Sequence, residues 1–202
     1  MLPRLYPIID ATNFTTTQEL CGFARQLISG GASLIQYRNK KGSPRECLSH
    51  ARQLRVIAGL SVRLIMNDRV DLCLAAGFEG IHLGQDDLSP EGARSVAKEG
   101  KWLGISTHNL QQAIAADATS ADYIAIGPIF ATQSKDRIDP VVGLDGLKKV
   151  RAATRKPLVA IGGITLANCR SVVDAGADSV AVISGLLTSP AKTVEDFLGV
   201  LM

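Results

Sequence analysis

The chain has 202 residues, with 22 Lys and Arg against 19 Asp and Glu, and its net charge of +3 is too weak and too evenly spread for the concentrated basic face that nucleic acid binding needs. Apolar residues make up 46% and charged residues 20%, which excludes a disordered chain, and no stretch approaches the roughly 20 apolar residues of a membrane span. The opening MLPRLYPIID lacks the length and cleavage pattern of a signal peptide, so the cytoplasm is the expected location.

Taken in order, eight short apolar runs alternate with longer segments of helical periodicity. The first run is Leu5–Ile9. Thr15, Thr16 and Thr17 then precede a segment in which Leu20, Phe23, Ala24 and Leu27 share one face. The second run, Ser33–Arg38, is followed by Ser43-Pro44, a helix opening with proline suited to the first turn. The third and fourth runs are Arg63–Asn67 and Gly80–Gly84, and Ser89-Pro90 opens the next helix. The fifth is Trp102–Thr107, with Asn109 before LQQAIAA, and the sixth is Asp122–Gly127. The seventh, Pro157–Gly163, precedes a helix expected to start at Thr165 and to stop on Gly176. The eighth is Ser179–Ser184.

Several runs, such as LVAIGG and VAVIS, are apolar at nearly every position, which is how a strand buried on both faces reads. Eight strand-helix units in 202 residues give a period of about 25. The expected fold is therefore α/β, a single compact (β/α)8 barrel over residues 1–202 with short loops. An open doubly wound sheet would want a GxGxxG turn after the first strand, and LYPIIDATNF has none. Aromatics are only 4% of the chain, so Val, Ile, Leu and Ala must build most of the core. Cys21, Cys47, Cys73 and Cys169 form no CxxC pair and read as buried free thiols.

In such a barrel the active site lies at the C-terminal ends of the strands. After the second run, alternation points Gln36, Arg38 and Lys40 to one side, a candidate pyrophosphate clamp. After the third and fourth come Asn67-Asp68 and Gln85-Asp86-Asp87. Asp68 and Asp87 could share Mg²⁺, which takes one or two carboxylates and fills its shell with water and substrate phosphate; alone, each reads equally well as a helix cap. Ser106 lies at the end of the fifth run and could bind an anion. His108 is read as structural or supporting, His82 as a satisfied barrel histidine, and His50 as a surface residue of a helix. The sixth run leads into the longest loop, Gly127–Lys135, with hydroxyls and Lys135 at its tip, of a kind that can close over a substrate. Gly162-Gly163 and Ser184 close the last two runs, the usual place for a phosphate cradled by backbone N–H groups. Two anion sites on one mouth suggest two phosphorylated substrates meeting between them.

The segments QYRNK, NDRVDL, GIHLGQDDL, GISTHN, ADYIAIGPIFATQSKD, VGLDGL, AIGGIT and AGADSVAVIS, in this order, resemble the thiamine-phosphate synthase family from about Leu5 to Leu198. The resemblance implies a transferase that joins hydroxymethylpyrimidine pyrophosphate to thiazole carboxyethyl phosphate, releases pyrophosphate and uses Mg²⁺. It implies that Gln36, Arg38, Lys40, Asn67 and Lys135 hold the pyrimidine pyrophosphate, with Ser106 on the pyrophosphate. Arg38, Lys40, Ser106 and Lys135 would serve the chemical step. Asp68 and Asp87 would hold one Mg²⁺ per subunit. Thr132, Ser134, Gly163, Ile183 and Ser184 would take the thiazole phosphate. The family also implies small-molecule partners only, with a homodimer as an option.

Two positions depart from the family pattern. Ser134 stands where threonine is common, and keeps the hydroxyl. The opening YPIIDATNF differs from the usual YLITD, a change expected to touch the barrel floor or an edge and not the chemistry. Two alternatives share the barrel: a thiazole tautomerase, whose family tends to lack the Asp68, Gln85 and Asp87 set, and a non-catalytic thiazole phosphate binder.

Overall fold

The computed structural model describes residues 2–97, 100–132 and 140–202. Eight strands close into a parallel barrel in sequence order: β1 (Leu5–Asp10), β2 (Leu34–Arg38), β3 (Arg63–Asn67), β4 (Gly80–Leu83), β5 (Trp102–Thr107), β6 (Tyr123–Ile126), β7 (Leu158–Ile161) and β8 (Ser179–Val182). Around it lie α1 (Thr17–Ser29), α2 (Pro44–Ala58), α3 (Val70–Ala76), α4 (Pro90–Ala97), α5 (Leu110–Asp117), α6 (Gly143–Ala153), α7 (Cys169–Asp174) and α8 (Pro190–Leu201). The expected (β/α)8 fold is the observed one.

Local signals set most boundaries. Thr16 caps α1 in a reciprocal box with Glu19, Ser43 caps α2 ahead of Pro44, and Asn109 caps α5 by accepting the Gln112 N–H. The fourth, sixth, seventh and eighth strands stop short of the expected ends. Gly162 and Gly163 have φ of 98° and 64°, which no extended strand holds, so β7 ends at Ile161. Helix α7 starts at Cys169 and not at Thr165, because Asn168 Oδ1 accepts the Thr165 N–H and closes a turn first.

Strand alternation splits the core in two. Outward-facing Leu5, Ile9, Ile35, Leu64, Met66 and Val180 pack under the helices. Inward-facing Tyr6, Ile8, Leu34, Ile65, Tyr123, Ala125, Val159 and Ala181 fill the barrel. The scarce aromatics are concentrated where they bury most area: Tyr6, Tyr37 and Tyr123 are all fully buried. The four cysteines are free and buried, and burial pushes the Cys73 thiol up to about 12.

His50 is not at the surface as the sequence suggested. It lies beneath α1 and β2, with Nε2 3.0 Å from Thr17 Oγ1 and Nδ1 2.9 Å from Tyr37 Oη. Its polar ring nitrogens find two hydroxyls on neighbouring elements, which is what makes burial tolerable.

Candidate active site

A cavity of about 680 Å³ opens at the C-terminal end of the barrel. Its wall includes Gln36, Arg38, Lys40, Asn67, Asp68, Asp87, Ser106 and Ile183, so eight of the residues singled out in the sequence meet in one space. The floor is apolar, with Ile8, Ala125, Val159, Ile161 and Ala181. A polar rim over an apolar base suits a small ring carrying a charged group.

The β2 side is built by register and alternation. Asp10 and Arg38 are paired positions at the ends of β1 and β2, and their side chains form an ion pair. Asp10 also accepts from the Thr12 N–H at 3.1 Å and the Thr12 hydroxyl at 2.7 Å, which fixes the carboxylate. Asn39 Oδ1 accepts the N–H groups of Lys41 and Gly42, and the resulting turn presents Lys40, which pairs with Asp68. Both cations thus have carboxylate partners, and an incoming anion would share or displace them. The altered opening of the chain reaches the cavity: Tyr6 and Ile8 line it, and Asp10 at its edge holds Arg38, so the change expected to touch only the barrel floor or an edge lies beside a candidate site residue.

Asp68 is not a helix cap. Arg69 occupies that position, and Asp68 has φ of 61°, the left-handed region that Asp tolerates better than most side chains. Burial, and then the neighbouring Asp87, raise the Asp68 carboxyl above its ordinary range, while Lys40 opposes them. Asp87 is anchored by the Gly84 N–H at 2.7 Å. Among the described residues no cluster of three or more His, Cys, Asp or Glu could hold a metal. Two crowded carboxylates beside an open cavity nonetheless fit an ion that takes few protein ligands and keeps water and phosphate in its shell.

Ser106 Oγ lies 2.9 Å from His82 Nε2, and Gln85 Nε2 donates to the Ser106 carbonyl at 2.6 Å. His82, read from sequence as a satisfied barrel residue, is satisfied and also lines the cavity. His108 lines it too, with Nδ1 2.8 Å from the Gly127 carbonyl.

On the opposite side only Ile183 of the expected thiazole phosphate residues is part of the cavity wall as described. Thr132, Gly163 and Ser184 stand outside that wall, while Ser134 and Lys135 lie outside the described residues. Gly163 is required sterically: a Cβ there would lie 2.7 Å from the Ala131 carbonyl oxygen. The loop after β7 is thereby pressed against the loop after β6, which Phe130 N–H and the Gly162 carbonyl join at 3.0 Å.

The residues that sequence reasoning passed over are Asp10, Tyr6 and Tyr123. Strand alternation could have found the tyrosines, since both are large polar-tipped side chains on inward positions of a barrel expected to be filled by aliphatics.

Fold and cavity define a (β/α)8 barrel of the enzyme type, with paired cations and carboxylates at its mouth. The family model for thiamine monophosphate synthase matches residues 5–186, and the chain belongs to that family. It is 58% identical to the thiamine-phosphate synthase of Koribacter versatilis, covering 99% of this chain and 96% of the relative. It is 42% identical to that of Chloroflexus aurantiacus, covering 94% and 88%. Among solved structures, a thiamine phosphate pyrophosphorylase from Pyrococcus furiosus superposes with a TM-score of 0.86 at 31% identity, covering 98% of this chain and 95% of that one.

Proposed function

We propose that this chain is a thiamine-phosphate synthase, a transferase that condenses 4-amino-5-hydroxymethyl-2-methylpyrimidine pyrophosphate with thiazole carboxyethyl phosphate to give thiamine monophosphate, pyrophosphate and, from the thiazole carboxyl, carbon dioxide. The observation that carries the reading is the convergence of Arg38, Lys40, Asp68, Asp87 and Ser106 on one cavity above an apolar floor. That set suits a pyrophosphate on a flat ring, and a barrel that only bound a thiazole phosphate would have no use for it.

In the proposed reaction the bond between the pyrimidine methylene and the pyrophosphate oxygen breaks, and its electron pair leaves with pyrophosphate. The thiazole nitrogen then forms the new bond to the methylene carbon, whose positive charge the aminopyrimidine ring spreads, and the thiazole carboxyl leaves as carbon dioxide, its bonding pair passing into the ring system, which takes up a proton from water. No protein nucleophile or general base is required. Arg38, Lys40 and Lys135 stabilise the negative charge that grows on the leaving group, the electrostatic effect that usually dominates such steps. Ser106 binds the same group, with Gln36 and Asn67 on the pyrimidine. Thr132, Ser134, Gly163, Ile183 and Ser184 hold the thiazole phosphate and keep its nitrogen in line, which lowers the entropic cost of joining two molecules. Asp68 and Asp87 would hold Mg²⁺. When bound, that ion supplies further charge neutralisation at the pyrophosphate.

The test is omission. Pyrophosphate release that requires both substrates, with thiamine monophosphate in equal amount, is the expected result. Conversion of one thiazole phosphate tautomer into another, without release, would move the assignment to a tautomerase. Binding of thiazole phosphate with neither reaction would mark a non-catalytic protein.

A further inference from the structure

Five polar side chains cross the barrel interior in one unbroken line, from β2 to β5. Gln36 Nε2 lies 3.0 Å from Tyr6 Oη, and Tyr6 Oη lies 2.9 Å from Tyr123 Oη. Tyr123 Oη lies 3.1 Å from His82 Nδ1, and His82 Nε2 lies 2.9 Å from Ser106 Oγ. Barrel interiors are ordinarily filled by layers of branched apolar side chains. Polar groups there cost stability unless each is paired, and these are paired in series.

The sequence makes room for this line. A Cβ on Gly104 would fall 2.1 Å from Tyr123 Cζ and 2.4 Å from its Oη, so the missing side chain is what seats the ring. His82 then stacks on Tyr123 with ring centroids 5.6 Å apart, and Tyr6 meets Tyr123 edge-on at 6.1 Å.

Each hydroxyl carries one proton, so the line has two self-consistent directions. In one, Gln36 donates to Tyr6, Tyr6 to Tyr123, Tyr123 to His82 Nδ1, and His82 Nε2–H to Ser106. The Ser106 proton is then left to point into the cavity. In the other, the Gln36 amide is turned so that its oxygen accepts from Tyr6, the remaining bonds are reversed, and the Ser106 proton is used on His82 Nε2. Phosphate oxygens at working pH are chiefly acceptors, so only the first direction lets Ser106 bind the anion. It also leaves the Gln36 carbonyl oxygen able to accept from an amino group on the ligand ring. Burial holds both phenols far above their ordinary range, so neither tyrosine gives up its proton at working pH.

We propose that Tyr6, Tyr123 and His82 are positioning residues that fix neutral His82 as its Nε2–H tautomer and so make Ser106 a dedicated hydrogen-bond donor to pyrophosphate. This rests on the synthase reading above.

Two measurements test it. Nitrogen-15 NMR of histidine-labelled enzyme, with the His82 signal assigned by its loss in His82→Gln, reports the tautomer without any need for turnover. The expected spectrum is neutral Nε2–H in the wild type and a mixture in Tyr123→Phe. Kinetically, Tyr123→Phe should lower kcat/KM about tenfold, the scale of one hydrogen bond to a charged group. It should change nothing further in a Ser106→Ala background, because it acts through that hydroxyl. A wild-type proton on Nδ1, or equal losses in both backgrounds, overturns the proposal. Tyr6→Phe replaces Tyr123→Phe in the same cycle if thermal melting shows the latter does not fold. A wild type that makes no thiamine phosphate sinks the functional reading instead, and the tautomer then decides the direction of the line by itself.

Discussion

Asp10 and Arg38 are paired positions on adjacent parallel strands, and their side chains form an ion pair at the edge of the cavity. The pair is largely buried, with side-chain exposure of 5% and 20%, so removing the carboxylate charge strands a guanidinium that has lost most of its water. Asp10→Asn should destabilise the fold by about 3 kcal/mol, the lower end of what breaking a buried pair costs. It should also loosen Arg38, raising KM for the pyrimidine pyrophosphate more than it lowers kcat. Urea unfolding and steady-state kinetics on the same preparation check both.

Asp68 should behave oppositely. Its carboxyl is raised by burial and by Asp87, so its charge is not favourable to the fold. Because φ is 61°, asparagine is the substitution that keeps the backbone, whereas alanine adds strain. Asp68→Asn is expected to melt no lower than wild type without Mg²⁺. With Mg²⁺ at ten times its Kd, the wild type should gain about 1.4 kcal/mol, and Asp68→Asn should gain nothing. Thermal melts with and without Mg²⁺ make the comparison, and equal gains in the two proteins would contradict the metal assignment.

Much of this site was legible before any coordinates. Gln36, Arg38 and Lys40 follow from alternation, Asp68 and Asp87 from their places just beyond apolar runs, and Ser106 from its place at the end of one. The barrel itself follows from eight repeats of strand and helix. What was not legible depends on contacts between distant segments. Asp10 stood just past the first apolar run with nothing to mark it, and only the register of β1 on β2 sets it against Arg38. His50 lies on a helix whose pattern gives no hint that Thr17 and Tyr37 converge on it. The strand ends at Gly84, Gly127 and Gly163 were misplaced because glycine continues an apolar run in sequence but breaks off from the strand in space.

His50 gives a pH signature. Burial lowers its pKa below the ordinary 6.5, so in the window just beneath 6.5 the unfolded chain binds a proton that the folded one refuses. Stability therefore rises with pH through that window and is lost as pH falls through it. His50→Gln should flatten that part of the profile, at some cost at neutral pH from the changed bonds to Thr17 and Tyr37. Urea midpoints between pH 5 and pH 8, about the range over which histidine titrates, read the slope.

Gly163 is constrained twice, by φ of 64° and by the Ala131 carbonyl where a Cβ would stand. Gly163→Ala should cost about 1–3 kcal/mol, the range for a non-glycine residue held in a sparsely populated backbone region. If the loops after β6 and β7 carry the thiazole phosphate site, the same variant should raise KM for the thiazole phosphate and leave KM for the pyrimidine pyrophosphate nearly unchanged.

The most direct test of the whole account is formation of thiamine monophosphate from the two substrates with Mg²⁺, in wild type and in Asp68→Asn side by side. The account predicts product and pyrophosphate in equal amounts from the wild type, abolished by chelation, and a loss of at least a hundredfold in the variant, about the scale of removing one charge-stabilising group from a reacting centre. Full activity in Asp68→Asn, or no product from a well-folded wild type, would contradict it.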